Sequence, residues 1–189
     1  DGGDDDADAD SDGTPDYCDA SPNGSAHFGF LDVSDGEGPA ESTVKLVVDS
    51  SVPLYGYSLN VSGADILSFD PSDAFGTVDL SGDFIMAFDL DGNSVSGEIL
   101  LGTLYLAPSV QGSSLALNNI LAAGANGVQL LATSDDYWNQ PACQDNDADL
   151  ICDVNDACLD DAINDPDNDG VCDKDEIAGC QDASACNYN

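Results

Sequence analysis

The chain has 189 residues, of which 38 are Asp or Glu against two lysines, for a formal net charge of −36. No basic surface exists to displace counterions from phosphate, which excludes nucleic acid as a partner, and the same charge argues against anionic membranes. The length allows one sizeable core, or a core with small appended modules.

The first segment in chain order is acidic. Asp8-Ala9-Asp10-Ser11-Asp12-Gly13 is followed by Thr14, Asp16 and Asp19. This is the spacing of a calcium loop. Alternate carboxylates at positions 1, 3 and 5 point at one hard cation, and glycine at 6 makes the turn. A carbonyl follows at 7, a water-linked ligand at 9 and an acid at 12. The predicted ligands of loop one are Asp8, Asp10, Asp12, the Thr14 carbonyl, Asp16 and Asp19. Asp4 and Asp6 are candidates for an additional ion sharing Asp8. Residues 1–19 thus read as a calcium-binding segment, and residues 20–26 (Ala-Ser-Pro-Asn-Gly-Ser-Ala) as a flexible joint.

Residues 27–140 are apolar, glycine-punctuated and built from short alternating runs. Val44, Leu46 and Val48 alternate with Lys45, Val47 and Asp49; Tyr55, Tyr57, Leu59 and Val61 alternate with Gly56, Ser58 and Asn60. Phe84, Met86 and Phe88 face opposite to Ile85 and Ala87. Such period-two patterns belong to half-buried strands. Asp91-Gly92 and Asn126-Gly127 are tight-turn dipeptides. With runs at 27–33, 65–69, 77–80, 98–106, 115–121 and 128–133, about nine strands are expected. The fold class is therefore all-β, an antiparallel sandwich. Residues 115–123 suit either a strand or a short helix. Tyr137 and Trp138 offer a stacking platform for sugars, or an aromatic plug under the sandwich.

The remainder, 141–189, returns to acid. Loop two would use Asp145, Asp147, Asp149, the Ile151 carbonyl, Asp153 and Asp156, with Leu150 where glycine is expected. Loop three would use Asp165, Asp167, Asp169, the Val171 carbonyl, Asp173 and Glu176, the last able to bind through both oxygens. By these positions, 23 of the 38 acids lie in residues 1–19 and 143–189, and such ends should not order without a cation. Six of the seven cysteines fall here: Cys143, Cys152, Cys158, Cys172, Cys180 and Cys186, with Cys18 apart. That density in a small loop-rich segment implies disulfides and an extracellular or cell-surface location. Zinc is disfavoured by the hard-oxygen neighbours and by His27 being the sole histidine. Short loops favour neighbours such as Cys152 with Cys158 and Cys180 with Cys186, although spacing does not fix connectivity. No hydrophobic run approaches membrane-span length.

On these motifs (DADSDGTPDYCD at 8–19, DNDADLICDVNDAC at 145–158, DPDNDGVCDKDE at 165–176) the terminal segments resemble thrombospondin type-3 repeats. That resemblance implies a chain wrapped around a string of calcium ions, with cysteines pinning successive turns. The closing stretch 179–189 looks like a cysteine motif found beside such repeats in secreted bacterial surface proteins. The runs Val52–Ser62 and Gly63–Phe69 make the sandwich similar to cohesin-like domains, jelly-roll sandwiches of secreted bacterial proteins that bind dockerins. A dockerin reading of loop three is disfavoured, because Ala178-Gly179-Cys180 follows it rather than an amphipathic helix.

No residue constellation singles out catalysis. His27 opens an alternating strand, where a surface role is expected, and no phosphate loop or dinucleotide fingerprint occurs. A non-enzyme is therefore expected. Two classes remain: a calcium-stabilised structural subunit that joins copies of itself head to tail into a filament or matrix, and a recognition module that binds a carbohydrate or a partner domain. The odd cysteine suits the first. Sequons at Asn23 and Asn60 offer N-glycosylation.

Overall fold

The alternating runs of the middle segment form strands in the computed structural model, which describes residues 7–16, 18–32 and 43–176. Ten strands follow in order: β1 (Ser25–Asp32), β2 (Thr43–Leu54), β3 (Gly56–Ser62), β4 (Ile66–Pro71), β5 (Thr77–Ser81), β6 (Phe84–Phe88), β7 (Val95–Leu106), β8 (Ser113–Ala123), β9 (Leu131–Ser134) and β10 (Trp138–Gln140). They make two five-stranded sheets, ordered β4-β7-β2-β1-β9 and β10-β8-β3-β6-β5. The described residues divide into two compact units, one lying within 7–107 and 112–141, the other within 108–111 and 142–176. No helix among the described residues is long and apolar enough to cross a membrane.

Alternation sets the core. Val44, Leu46 and Val48 of β2, Leu59 and Val61 of β3, and Ile85 of β6 are all essentially inaccessible. Phe28, Tyr57 and Phe75 meet edge-on or tilted at 5.5 Å between ring centroids, the geometry that aligns ring edges with faces. Each such buried large side chain contributes about 1.5–3 kcal/mol. Burial raises the Tyr57 hydroxyl well above the usual phenol value.

The expected all-β, antiparallel-rich sandwich forms, with one parallel pair, β1 with β9 over Ser25–Phe28 and Leu131–Ser134. Residues 115–123 are strand, not helix. Asn119 takes a left-handed φ of 50°, and the register slips so that Ser58 to Asn60 on β3 oppose Asn118 to Leu121 on β8. This bulge lets Leu115 and Leu117 before it and Ala122 after it all point inward. The tenth strand, β10, was not expected; three residues carry no alternation to read. Tyr137 and Trp138 sit in different surroundings. The Trp138 indole N–H donates to Asp32 (2.7 Å) and its ring packs near Phe30, while Tyr137 is exposed.

The turn dipeptide Asn126-Gly127 lies between β8 and β9 with φ of 56° and 75°, both left-handed. Within residues 20–26, Ser25 and Ala26 already pair in β1, and Gly24 receives the Leu131 N–H (3.0 Å).

Candidate metal centres

The three acidic loops share one backbone path. In each, the residues at positions 4 and 6 are left-handed: Ser11 and Gly13 (61°, 93°), Ala148 and Leu150 (63°, 75°), Asn168 and Gly170 (59°, 92°). Leu150 therefore adopts the conformation that glycine would give at no steric cost.

The same hydrogen bonds recur. The position 1 carboxylate accepts the N–H of position 6: Asp8 from Gly13 (3.0 Å), Asp145 from Leu150 (3.2 Å), Asp165 from Gly170 (2.8 Å). Position 3 accepts from position 5, Asp10 from Asp12, Asp147 from Asp149 and Asp167 from Asp169. Position 5 accepts from position 7, whose residues are Thr14, Ile151 and Val171. Each loop is closed by the N–H of position 9 on the carbonyl just before position 1: Asp16 to Ala7 (2.7 Å), Asp153 to Gln144 (2.8 Å), Asp173 to Asn164 (2.7 Å). One difference stands out. Asp16 and Asp153 also accept the N–H of position 2, from Ala9 and Asn146, whereas loop three has Pro166 there and no N–H to give.

Wrapping of this kind gathers negative charge. In every loop, carboxylate atoms from positions 1, 3 and 5 lie within 4.8 Å of one another. Unit charges about 4 Å apart repel by roughly 1 kcal/mol in water and roughly 4 kcal/mol at an effective dielectric of 20. The position 12 acids belong to the same clusters. Desolvation raises the Asp10 carboxyl, with Asp12 and Asp19 adding to it against the Asp12 N–H. Desolvation likewise raises Asp147, with Asp149 and Asp156 reinforcing it. Glu176 is raised by desolvation and then by Asp167, Asp169, Asp173 and Asp165.

A cation fits these residues on two counts. The donors are all oxygen, the ligand set of calcium. Each loop also holds a solvent-shielded carboxylate oxygen with no donor: Asp19 Oδ2, Asp147 Oδ2 and Glu176 Oε1. The position 12 carboxylates of loops one and two are held by backbone, Asp19 Oδ1 accepting from Ser21 (2.8 Å) and Asp156 Oδ1 from Cys158 (2.7 Å). Asp4 and Asp6, the candidates for an extra ion, lie outside the described residues.

Two disulfides pin loops two and three, and they correct the expected pairing. Cys143 joins Cys152 and Cys158 joins Cys172, so Cys152 and Cys158 are not partners. The reason is loop closure. With Asp153 bonded to Gln144, position 8 is carried beside the residues that precede the loop, and Cys143 is there. Cys180 and Cys186 lie outside the described residues. Cys18 is exposed and without a disulfide partner among the described residues. Disulfides are the mark of an oxidising compartment.

Sequence reasoning missed two connector residues. Asn164 donates from Nδ2 to Asp149 (2.5 Å), and this bond does most to lower the Asp149 carboxyl. Asp161, nearly inaccessible, accepts N–H groups from Ile163 (3.2 Å) and Lys174 (2.7 Å). Neither position belongs to the twelve-residue spacing, so no pattern marked it.

Elsewhere, His27 Nδ1 meets Thr133 Oγ1 (2.9 Å) and Nε2 meets Asp135 Oδ1 (3.1 Å), with half of the His27 and Asp135 side chains exposed. This ties the parallel strands β1 and β9. The outer face of the second sheet carries Leu121–Ser58–Met86 in one cross-strand row and Ala123–Gly56–Phe88 in the next. They line a concavity of about 370 Å³. Asn60 sits on that face, its side chain accepting from Asn119, whereas Asn23 is exposed in the turn before β1.

No protein-family model matches the chain, and no curated protein matches it. Among solved structures, the sandwich is similar to cohesins. One is from a type I cohesin–dockerin complex of Clostridium thermocellum (10% identity, 60% of this chain and 89% of that one, TM-score 0.41). A second is a non-cellulosomal cohesin of the archaeon Archaeoglobus fulgidus (12%, 59% and 83%, 0.38). A third is the cohesin module of a Clostridium perfringens family 33 glycoside hydrolase (14%, 59% and 98%, 0.38). Likeness at that level transfers none of those proteins' partners to this chain.

Proposed function

We propose that this chain is a secreted, non-catalytic recognition module whose acidic segments are held by calcium, as thrombospondin type-3-like repeats would be. The observation that carries the calcium reading is the repetition of one loop geometry three times, each copy with an orphaned, shielded carboxylate oxygen. Hard carboxylates in flexible loops suit calcium better than magnesium, which demands a near-ideal octahedron and keeps its waters. Calorimetric titration of the chelator-treated chain tests it. Saturable binding near three ions per chain is expected, and heat no larger than dilution sinks the reading.

For recognition, the outer face around Met86, Phe88 and Leu121 is the surface of choice. It is apolar at its centre on a molecule of charge −36, and Asp79 is the acid that continues the Leu121–Ser58–Met86 row. A partner protein suits that face better than a glycan, since its centre offers hydrocarbon rather than hydrogen-bonding groups. Immobilised chain and a Met86→Asp, Leu121→Asp double variant would be compared against the culture fluid of the source cells. A partner kept by the first and lost by the second supports the reading; equal retention removes this face.

End-to-end assembly into a filament is the second reading, favoured by the exposed thiol of Cys18. Sedimentation in millimolar calcium with and without reductant separates the two. Reductant- or chelator-sensitive polymers support assembly, and a monomer throughout removes it. N-glycosylation suits the exposed Asn23 better than Asn60, whose amide is engaged.

A further inference from the structure

We propose that Asn164 couples loops two and three, so that a calcium ion in either raises the affinity of the other. The inference rests on the calcium reading above and goes beyond it, because separate loops need not communicate. Asn164 does two jobs with one residue. Its carbonyl accepts the Asp173 N–H (2.7 Å) and so closes loop three, while its side-chain amide donates to Asp149 (2.5 Å), a position 5 ligand of loop two. Asp161 braces the same connector: its carboxylate takes the N–H of Lys174, inside loop three, and that of Ile163, just before Asn164. The Cys158–Cys172 disulfide closes the circuit from the end of loop two to position 8 of loop three.

The physical link is shared ordering. An ion in loop three fixes the backbone that Asn164 helps to close. The amide is then already held where it orients Asp149, so loop two loses less conformational freedom on binding. By linkage, the factor must be the same in both directions. Among the described residues the circuit runs through loops two and three, and loop one serves as the internal reference.

Asn164 has a φ of 62°, so an alanine there would add backbone strain of its own. Asn164→Gly removes the amide and keeps the left-handed conformation. The experiment is calcium calorimetry on the full oxidised chain, together with Asp169→Asn, which cripples loop three, and Asp12→Asn, which cripples loop one. In the native chain two ions should bind cooperatively and one independently. Asp169→Asn should weaken loop two on the order of tenfold, within the usual range of coupling between sites. Asp12→Asn should leave loops two and three untouched. Asn164→Gly should keep the stoichiometry and abolish the cooperativity. Unchanged cooperativity in Asn164→Gly, or three independent sites in the native chain, overturns the coupling while leaving calcium binding intact. A native chain that takes up no calcium at all overturns the calcium reading itself.

Discussion

At the scale of single residues, Leu150 shows how far the loop geometry outweighs local preference. A left-handed non-glycine residue costs roughly 1–2 kcal/mol, yet the Asp145 carboxylate captures the Leu150 N–H and the loop keeps the path of its glycine-bearing siblings. The side chain is 69% exposed, so replacing it forfeits little burial. Leu150→Gly should therefore raise stability in saturating calcium by about 1 kcal/mol or less, since glycine also loosens the unfolded chain; differential scanning calorimetry reads the shift, and a lowered midpoint would contradict it. Asp89 makes a different point in the turn between β6 and β7. Its Oδ1 accepts the Asn93 N–H and side-chain amide (both 3.2 Å) and the Asp91 N–H (2.8 Å), and the Asn93 bonds lead in lowering its carboxyl. A folded pKa below the unfolded one means stability that is present above the unfolded value, about 3.9, and lost as pH falls through the folded one. Urea titrations of the native chain and Asp89→Ala should differ at pH 7, with the native chain more stable, and converge as pH falls through the lowered folded value. A gap that persisted at low pH would show the turn to be held by something other than the ionised carboxylate.

Elements were legible where burial imposes a period. Nine alternating runs announced nine strands, since one face of each must meet the core and a slip of one residue would invert it. What alternation does not carry was not legible. The parallel pairing of β1 with β9 is a matter of topology, and β10 is too short for a period. The bulge at Asn119 shifts the phase of β8, which is why that segment read equally well as helix. The three acidic loops were readable because their acids recur at fixed steps, whereas disulfide partners depend on how the loop closes in space. Close approach of elements also hides in glycines. Gly63, in the turn after β3, has a φ of 99°, and a Cβ there would sit 1.8 Å from the Ser114 carbonyl of β8. Gly63→Ala thus combines the left-handed penalty with a clash against backbone, which cannot rotate away. A loss of about 2–4 kcal/mol is expected from the two together, read as a lower urea midpoint; a loss under 1 kcal/mol would mean that the β3–β8 contact yields.

For the whole molecule the governing quantity is charge, and its distribution separates the part that folds by burial from the acidic segments, for which calcium is the proposed support. The sandwich buries a continuous core and should persist without metal. Residues 142–176 have no such core; Cys152, Cys158 and Asp161 are the buried residues there. Monovalent salt cannot stand in for the ion. At 0.15 M the screening length is about 8 Å, longer than the 4.8 Å over which each triad of ligand atoms is spread. A bound ion adds RT ln(1 + [L]/Kd), about 2.7 kcal/mol per site at a hundredfold excess over Kd, which is enough to decide whether a disulfide-pinned loop is ordered. Excess chelator should therefore split the chain's behaviour by unit. In hydrogen exchange, the amides of Leu150 and Gly170, which the Asp145 and Asp165 carboxylates accept, should lose protection within the first time points. The amides paired between β2 and β7 should stay protected, and readdition of calcium, but not of magnesium at equal concentration, should restore the loops. Uniform loss across both units would mean that the sandwich depends on the acidic segments. Protection unchanged by chelator would mean that the disulfides alone hold loops two and three.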